Sequence, residues 1–156
     1  MHDVAQFLSH CPLFKGVSGK ELELLENEFK SDIVEAGEHL FRSGEQAERL
    51  FVIRRGEVSL RMPVSRGERR EVEIARHGPP DALGIVVVAV AEYQNTFSAV
   101  VTERATCLSS HGAKLRRLFD ARSDLGNVVR RNAIELLAKR LAQTRAVLGF
   151  ERALRF

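Results

Sequence analysis

The spacing of apolar residues divides the chain into two helical ends and a strand-rich middle. Residues 4–30 carry apolar positions at helical spacing, and Ser18 followed by Glu21 has the form of a capping box at a helix start. From residue 31 to 111 the apolar runs are short, and glycine or charged turns separate them. Residues 112–148 return to helical spacing, which predicts two closing helices.

This order of elements predicts a mainly β, α+β domain over residues 1–150, with Gly149 ending the last helix and 149–156 forming a tail. Regularly spaced short strands favour a β-roll or jelly roll of about eight antiparallel strands. The polar turn at residues 65–70 joins two alternating segments and predicts a hairpin. In the second segment we expect Val72, Ile74 and Arg76 on one face and Glu71, Glu73 and Ala75 on the other.

The last helix carries two apolar stripes. The first, here called the seam stripe, alternates steps of three and four residues as coiled coils do, and we expect a homodimer through it. The second, the core stripe, is expected to pack against the sheet. The alternative is that both stripes form one broad core face. The seam stripe consists of Ile134, Leu137, Leu141, Thr144 and Leu148, and the core stripe of Val129, Ala133 and Leu136.

Composition and charge restrict the class of protein. The 156 residues suit one globular domain, and no apolar run is long enough to cross a membrane. Cys11 and Cys107 make no disulfide framework, so we expect two buried thiols, a cytoplasmic location and no membrane contact. From Lys114 onward there are 11 Lys/Arg and 4 Asp/Glu, against 13 and 17 before it. This basic end suits a solvated helix face, or alternatively an acidic protein partner.

The sequence offers little catalytic chemistry but one candidate binding stretch, residues 76–99. It lacks Gly-x-Ser-x-Gly, a P-loop and a metal-spaced histidine pair, so we expect neither an enzyme nor a metal site. Gly78 and Gly84 flank a loop, and an apolar run follows from Ile85. No Lys or Arg lies between His77 and Glu103, which leaves an anion without an obvious side-chain partner. The apolar run is expected in the core or a pocket wall, a hydrophobic ligand being the less favoured alternative.

Three segments resemble motifs of the cyclic nucleotide-binding domain family. They are CPLFKGV at 11–17, EAGEHLFRSGE at 35–45 and LFVIRRGEV at 50–58, with glycines at matching spacing. The resemblance extends over most of residues 4–148. It implies a β-roll and a regulatory or sensor module for a cyclic nucleotide such as cAMP or cGMP.

The resemblance weakens at the family's phosphate-binding cassette. There, ligand-binding members carry a Glu for the ribose and an Arg for the cyclic phosphate, but Ile85 and Asn95 occupy those positions. Losing such charged hydrogen bonds costs about two orders of magnitude in affinity, so we expect weak or altered nucleotide binding. Arg76, His77 and Arg104 are the candidates to replace the charge. The cassette positions are Gly78, Gly84, Ile85, Val86, Asn95, Thr96 and Phe97.

Several interpretations follow from the resemblance. The first is a sensor whose cassette moves residues 113–120 and thereby the seam stripe. The second is a ligand-free dimeric interaction module, and the third is the effector half of a transcription regulator. Only residues 151–156 follow Phe150, so we expect no specific DNA binding from this chain. Some relatives hold haem or an iron–sulfur cluster, but His39, His77, His111, Cys11 and Cys107 show no ligand spacing for either.

Overall fold

The computed structural model describes residues 3–64 and 70–154, with side chains as far as residue 149. The chain opens with α1 (Asp3–Leu8), a 3-10 turn (Pro12–Phe14) and α2 (Gly19–Glu26). Ser18 caps α2 as predicted, because its Oγ accepts the Glu21 N–H at 3.3 Å and donates to Glu21 Oε1 at 3.0 Å.

The middle of the chain is an antiparallel sheet in the order β1-β6-β3-β4, with β2 pairing β6 and β5 pairing β3. This sheet and the flanking helices confirm the predicted α+β β-roll. The strands are β1 (Lys30–Val34), β2 (His39–Phe41), β3 (Arg49–Pro63), β4 (Glu71–His77), β5 (Ala82–Leu83) and β6 (Ser98–His111).

Six strands are found in the described residues where about eight were expected, because two strands are long. β3 contains the segments around Leu50 and Val58, and β6 contains those around Val101 and Ala105. Their pairing shifts register three times between Ile53 and Val58, so the strands bend through bulges instead of ending in turns. Gly56 lies at this bend with φ +90°, and a Cβ there would be 2.4 Å from the Arg104 carbonyl oxygen.

The face alternation predicted for β4 is wrong after Ile74. Leu60 pairs with Ala75 and Arg61 with Glu73, which leaves Ile74 as an extra residue in a bulge. A one-residue shift moves the following side chains to the opposite face. His77 is therefore half-buried, and Arg76 is exposed. Residues 65–69 of the hairpin turn predicted at 65–70 lie outside the described residues.

The closing helices are α3 (Gly112–Ala121) and α4 (Ser123–Leu154). The prediction that Gly149 ends the last helix is wrong, since α4 continues five residues further. A helix-ending glycine usually adopts a left-handed conformation, and Gly149 does not.

The two stripes of α4 lie in different surroundings. Val129 and Ala133 are fully buried in a core shared with α1, α2, α3 and the sheet, and Leu136 packs against it. Ile134 is 69% exposed and Leu141 is 61% exposed, so the alternative of one broad core face is wrong. Thr144 departs from the predicted seam stripe, because it is buried and its hydroxyl donates to the Arg140 carbonyl oxygen at 2.8 Å.

Cys11 and Cys107 are free, buried thiols, as predicted. Burial raises the pKa of Cys11 to about 12 and that of Cys107 to about 11, because a thiolate is poorly solvated in the core. Among the described residues no helix is both long enough and apolar enough to span a membrane.

Candidate ligand-binding site

A cavity of about 460 Å³ lies between the β-roll and α4. It has the size of a small-molecule site, for which about 300–1,000 Å³ is usual. Gly78 does not line it, and its carbonyl oxygen instead accepts the Asp81 N–H at 2.9 Å in the turn after β4. The cassette residues that line it are Gly84, Ile85, Val86, Asn95, Thr96 and Phe97.

At Gly84 the chain turns and enters a segment that forms part of the cavity wall. Its φ is +77°, and a Cβ would lie 2.6 Å from the Arg49 carbonyl oxygen, so both conformation and space require glycine. The chain then forms a single 3-10 turn (Ile85–Val88). Ile85 is only 1% exposed and belongs to the main core. An apolar, buried side chain thus stands at the position where the resemblance implies a carboxylate for ribose.

Asn95 forms part of the opposite wall. Its N–H donates to the Glu45 carbonyl oxygen at 2.8 Å, and its own carbonyl oxygen accepts the Gly44 N–H at 2.7 Å. These bonds fix the backbone and leave a neutral amide side chain, 8% exposed, beside the cavity. Next to it the hydroxyl groups of Tyr93 and Thr96 lie 3.3 Å apart. This wall offers hydrogen-bonding groups but no charge.

Of the three proposed substitutes for the missing charge, only His77 reaches the cavity. Arg76 pairs with Glu57 and Glu73 on the surface, and Arg104 pairs with Glu35. The β4 bulge brings His77 to the cavity wall.

The His77 imidazole is held at one ring nitrogen and is without a hydrogen-bond partner at the other. Its Nδ1 lies 2.9 Å from Asp81 Oδ2, which orients the ring. Its Nε2 is buried, and no described residue forms a hydrogen bond with it. A buried polar atom without a partner is unusual and marks a position where a ligand group would be stabilised.

The sequence analysis did not predict two cationic side chains that line the cavity. They are Arg140 and Arg145, both on α4. Arg140 donates to the Ala82 carbonyl oxygen. Burial lowers the pKa of its guanidinium, and the nearby Asp81 partly opposes that effect. The helical repeat could have indicated Arg140 as a neighbour of the seam stripe. Arg140 directly precedes Leu141 and lies four residues before Thr144, and both of these residues belong to the seam stripe.

α3 is connected directly to the cassette. Arg116 donates to the carbonyl oxygens of Val87 at 2.6 Å and Val90 at 3.2 Å, at the end of the 3-10 turn. Gly112 lies so close that a Cβ would be 2.7 Å from the Val87 Cβ. A displacement of the cassette would therefore reach α3 and, through it, α4.

The arrangement is suited to binding. The described lining contains arginines, a histidine, amides and hydroxyls among apolar side chains, and no carboxylate or thiol. Within residues 3–64 and 70–154 no group of three or more potential metal-ligating side chains comes together. Fold and cavity together define a β-roll domain with a cavity of small-molecule size under its last helix.

Comparison with known proteins identifies the family to which this domain belongs. The sequence model of the cyclic nucleotide-binding domain matches residues 32–122, more than half of the chain. The protein belongs to the cyclic nucleotide-binding domain family and has its regulatory-domain fold. Among curated protein sequences, none matches the chain.

Solved structures show the same fold at low sequence identity. A cyclic nucleotide-binding domain from Methylobacillus flagellatus is 19% identical with a TM-score of 0.76, over 97% of this chain and 81% of that one. Thermus thermophilus catabolite activator protein is 24% identical with a TM-score of 0.72, over 90% and 63%. The regulatory subunit of a cAMP-independent protein kinase A from Trypanosoma brucei is 22% identical with a TM-score of 0.68, over 88% and 50%.

Proposed function

We propose that the protein is a sensor module in which a small ligand beneath α4 controls a homodimer formed through the exposed part of the seam stripe. The observation that carries the proposal is the double position of Leu137 and Leu141. Both line the cavity, and both are also exposed, Leu137 to 37% and Leu141 to 61%. A ligand contacting these residues would act on the surface that a second protomer would cover.

Such control requires two arrangements of α4 with different affinities for the ligand. The contacts of α4 make this mechanically reasonable. Its first half packs in the core, whereas its second half covers the cavity. The Arg116 bonds to Val87 and Val90 give the cassette a second route to the helices.

We further propose that cyclic nucleotides bind this cavity weakly or with altered specificity. Ile85 and Asn95 place neither a carboxylate nor a guanidinium at the ribose and phosphate positions of the cassette. The Trypanosoma brucei structure, which shares the fold, is described as the regulatory subunit of a cAMP-independent kinase, and this description supports the proposal.

Calorimetric titration with cAMP and cGMP tests the nucleotide part of the proposal. The parent should bind with a Kd weaker than about 100 µM, whereas Ile85→Glu/Asn95→Arg should bind about 10- to 100-fold more tightly because it restores charged hydrogen bonds. Micromolar binding by the parent would show that other groups replace the two missing side chains.

Light scattering tests the dimer. We expect the parent to be a dimer and Ile134→Asp to be monomeric at the same concentration, because a carboxylate would be buried in the seam. Lys139→Asp places a new carboxylate on the opposite face of the helix and should stay dimeric. If Ile134→Asp is as dimeric as the parent, the seam is elsewhere.

The effector half of a transcription regulator is a second candidate. It is supported by the match to Thermus thermophilus catabolite activator protein, of which this chain spans 63%. Fluorescence anisotropy with labelled duplexes would test whether this chain itself binds DNA. A ligand-free interaction module is the remaining alternative, and absence of any ligand-dependent change would favour it.

A further inference from the structure

The chemistry of the cavity wall differs from what a nucleotide requires. A cyclic nucleotide presents a phosphate, a ribose and a polar base edge, each of which needs matching polar groups in a site that excludes water. Most of this wall is aliphatic or aromatic. Large apolar side chains line it, among them Phe41, Leu60, Met62, Ile74, Phe97 and Leu148.

The charged groups of the wall have one sign. Arg140 and Arg145 line the cavity, and the described lining includes no Asp or Glu. Asp81 is not among the lining residues, and its carboxylate lies 2.9 Å from His77 Nδ1. The lining thus supplies no negative charge for the two guanidinium groups, and the nearby Asp81 only partly offsets the burial of Arg140.

Two polar side chains of the lining, Arg140 and His77, have hydrogen-bonding groups without a partner among the described residues. Arg140 has five N–H donors, and among the described residues one hydrogen bond, to the Ala82 carbonyl oxygen, uses them. His77 Nε2 is buried without a partner among the described residues. A carboxylate accepts several hydrogen bonds at once, and a guanidinium is the side chain that best matches its geometry.

From this combination we infer that the cavity binds an amphipathic organic acid, with an apolar body against the β-roll and one carboxylate at Arg140. The inference rests on the proposed function only in using the same cavity as the ligand site. It names a ligand class with no phosphate, ribose or base, and it explains why Ile85 stands where a ribose-binding carboxylate would be expected.

The protein carries its own reporter for this site. Tyr93 is the only tyrosine, there is no tryptophan, and Tyr93 lines the cavity. Intrinsic fluorescence therefore reports occupation of this cavity directly. Decanoate and decan-1-ol are suitable probes, because they share an apolar chain and differ in the charged end.

We expect decanoate to change the Tyr93 fluorescence with saturation and to bind about 10- to 100-fold more tightly than decan-1-ol, the range of a charge-assisted hydrogen bond. Arg140→Gln should remove most of this difference, and Lys139→Gln, on the opposite face of α4, should leave it intact. Equal affinities of the parent for acid and alcohol would overturn the inference. This first comparison needs no variant, so it decides even if Arg140→Gln fails to fold.

The outcomes separate this inference from the proposed function. Micromolar binding of cAMP in the calorimeter with no response to decanoate would overturn the organic-acid inference while leaving a ligand-controlled sensor. Tight decanoate binding that leaves the dimer mass unchanged by light scattering would support the inference and contradict ligand control of the dimer.

Discussion

The two halves of α4 have similar apolar spacing and opposite surroundings. In residues 123–133, Leu125 and Val129 are fully buried, and the Asn132 side-chain amide donates to the carbonyl oxygens of Leu13 and Lys15, both at 2.9 Å. In residues 134–148, Ile134 and Leu141 are more than half exposed. The first half faces the N-terminal helices and α3, whereas the second half faces the cavity.

This difference shows that apolar periodicity specifies a helix face without specifying what covers it. Leucine is present in both halves, but Leu125 in the first half is fully buried, whereas Leu137 and Leu141 in the second half are exposed. We therefore expect the first half to determine stability and the second half to determine binding and assembly. The predictions below test that division, from the largest effect to the smallest.

The largest effect should come from truncating Leu125. Leu125→Ala removes a fully buried side chain and leaves a cavity, so the free energy of unfolding should fall by about 2–5 kcal/mol. Leu141→Ala, a leucine 61% exposed, should change it by about 0.5 kcal/mol or less.

Urea unfolding followed by circular dichroism measures both substitutions. They should be compared in the Ile134→Asp background at one protein concentration, so that dissociation of a dimer does not contribute. Similar losses for Leu125→Ala and Leu141→Ala would show that the second half of α4 is as tightly packed as the first.

Much of the fold follows from local sequence patterns. The Ser18 cap, the strand-rich middle and the two closing helices depend on short-range chemistry, and the structure agrees with each. The bulges do not follow from such patterns, because register depends on the partner strand. The extra residue at Ile74 was for that reason unpredictable, and it reverses the faces of Arg76 and His77.

The candidate site was predictable in part. The resemblance located Gly84, Ile85, Asn95 and their neighbours, which the fold brings together around one cavity. Arg140 was missed because it follows the cassette by more than forty residues and reaches it only through the packing of α4. Only the tertiary arrangement shows that the helix for which we predicted dimerisation also covers the cavity.

Alanine substitutions at two glycines of α4, Gly126 and Gly149, form a matched pair, and the expected change in the free energy of unfolding is intermediate in size. A Cβ on Gly126 would lie 2.7 Å from the Phe119 carbonyl oxygen and 2.9 Å from the Phe119 Cβ, whereas one on Gly149 meets nothing within 4 Å. Gly126→Ala should destabilise the fold by about 1–3 kcal/mol, because α3 and α4 must separate. Gly149→Ala should be neutral or stabilising by up to about 1 kcal/mol, since alanine favours helix.

Thermal and urea unfolding monitored at 222 nm compare the two glycine variants. Helix propensity alone would raise the stability of both. A stabilising Gly126→Ala would therefore mean that α3 and α4 are not in close contact at Phe119.

The smallest effect concerns the pH dependence of the core on which the first half of α4 packs. Cys11 lies in that core, and burial raises its thiol pKa from 9.0 to about 12. The Cys11 thiol thus keeps its proton in the folded state at pH values where it has lost that proton in the unfolded chain. The contribution is fully present below pH 9 and is lost as pH rises toward 12, by about 1.4 kcal/mol at pH 10.

Cys11→Ala removes this titration, so the stability difference between parent and variant should shrink by that amount between pH 8 and pH 10 in urea unfolding. The other titrating groups are common to both proteins and cancel in the difference. A difference that stays constant over this range would mean that the Cys11 thiol ionises as readily in the folded protein as in the unfolded chain, and that water reaches this core.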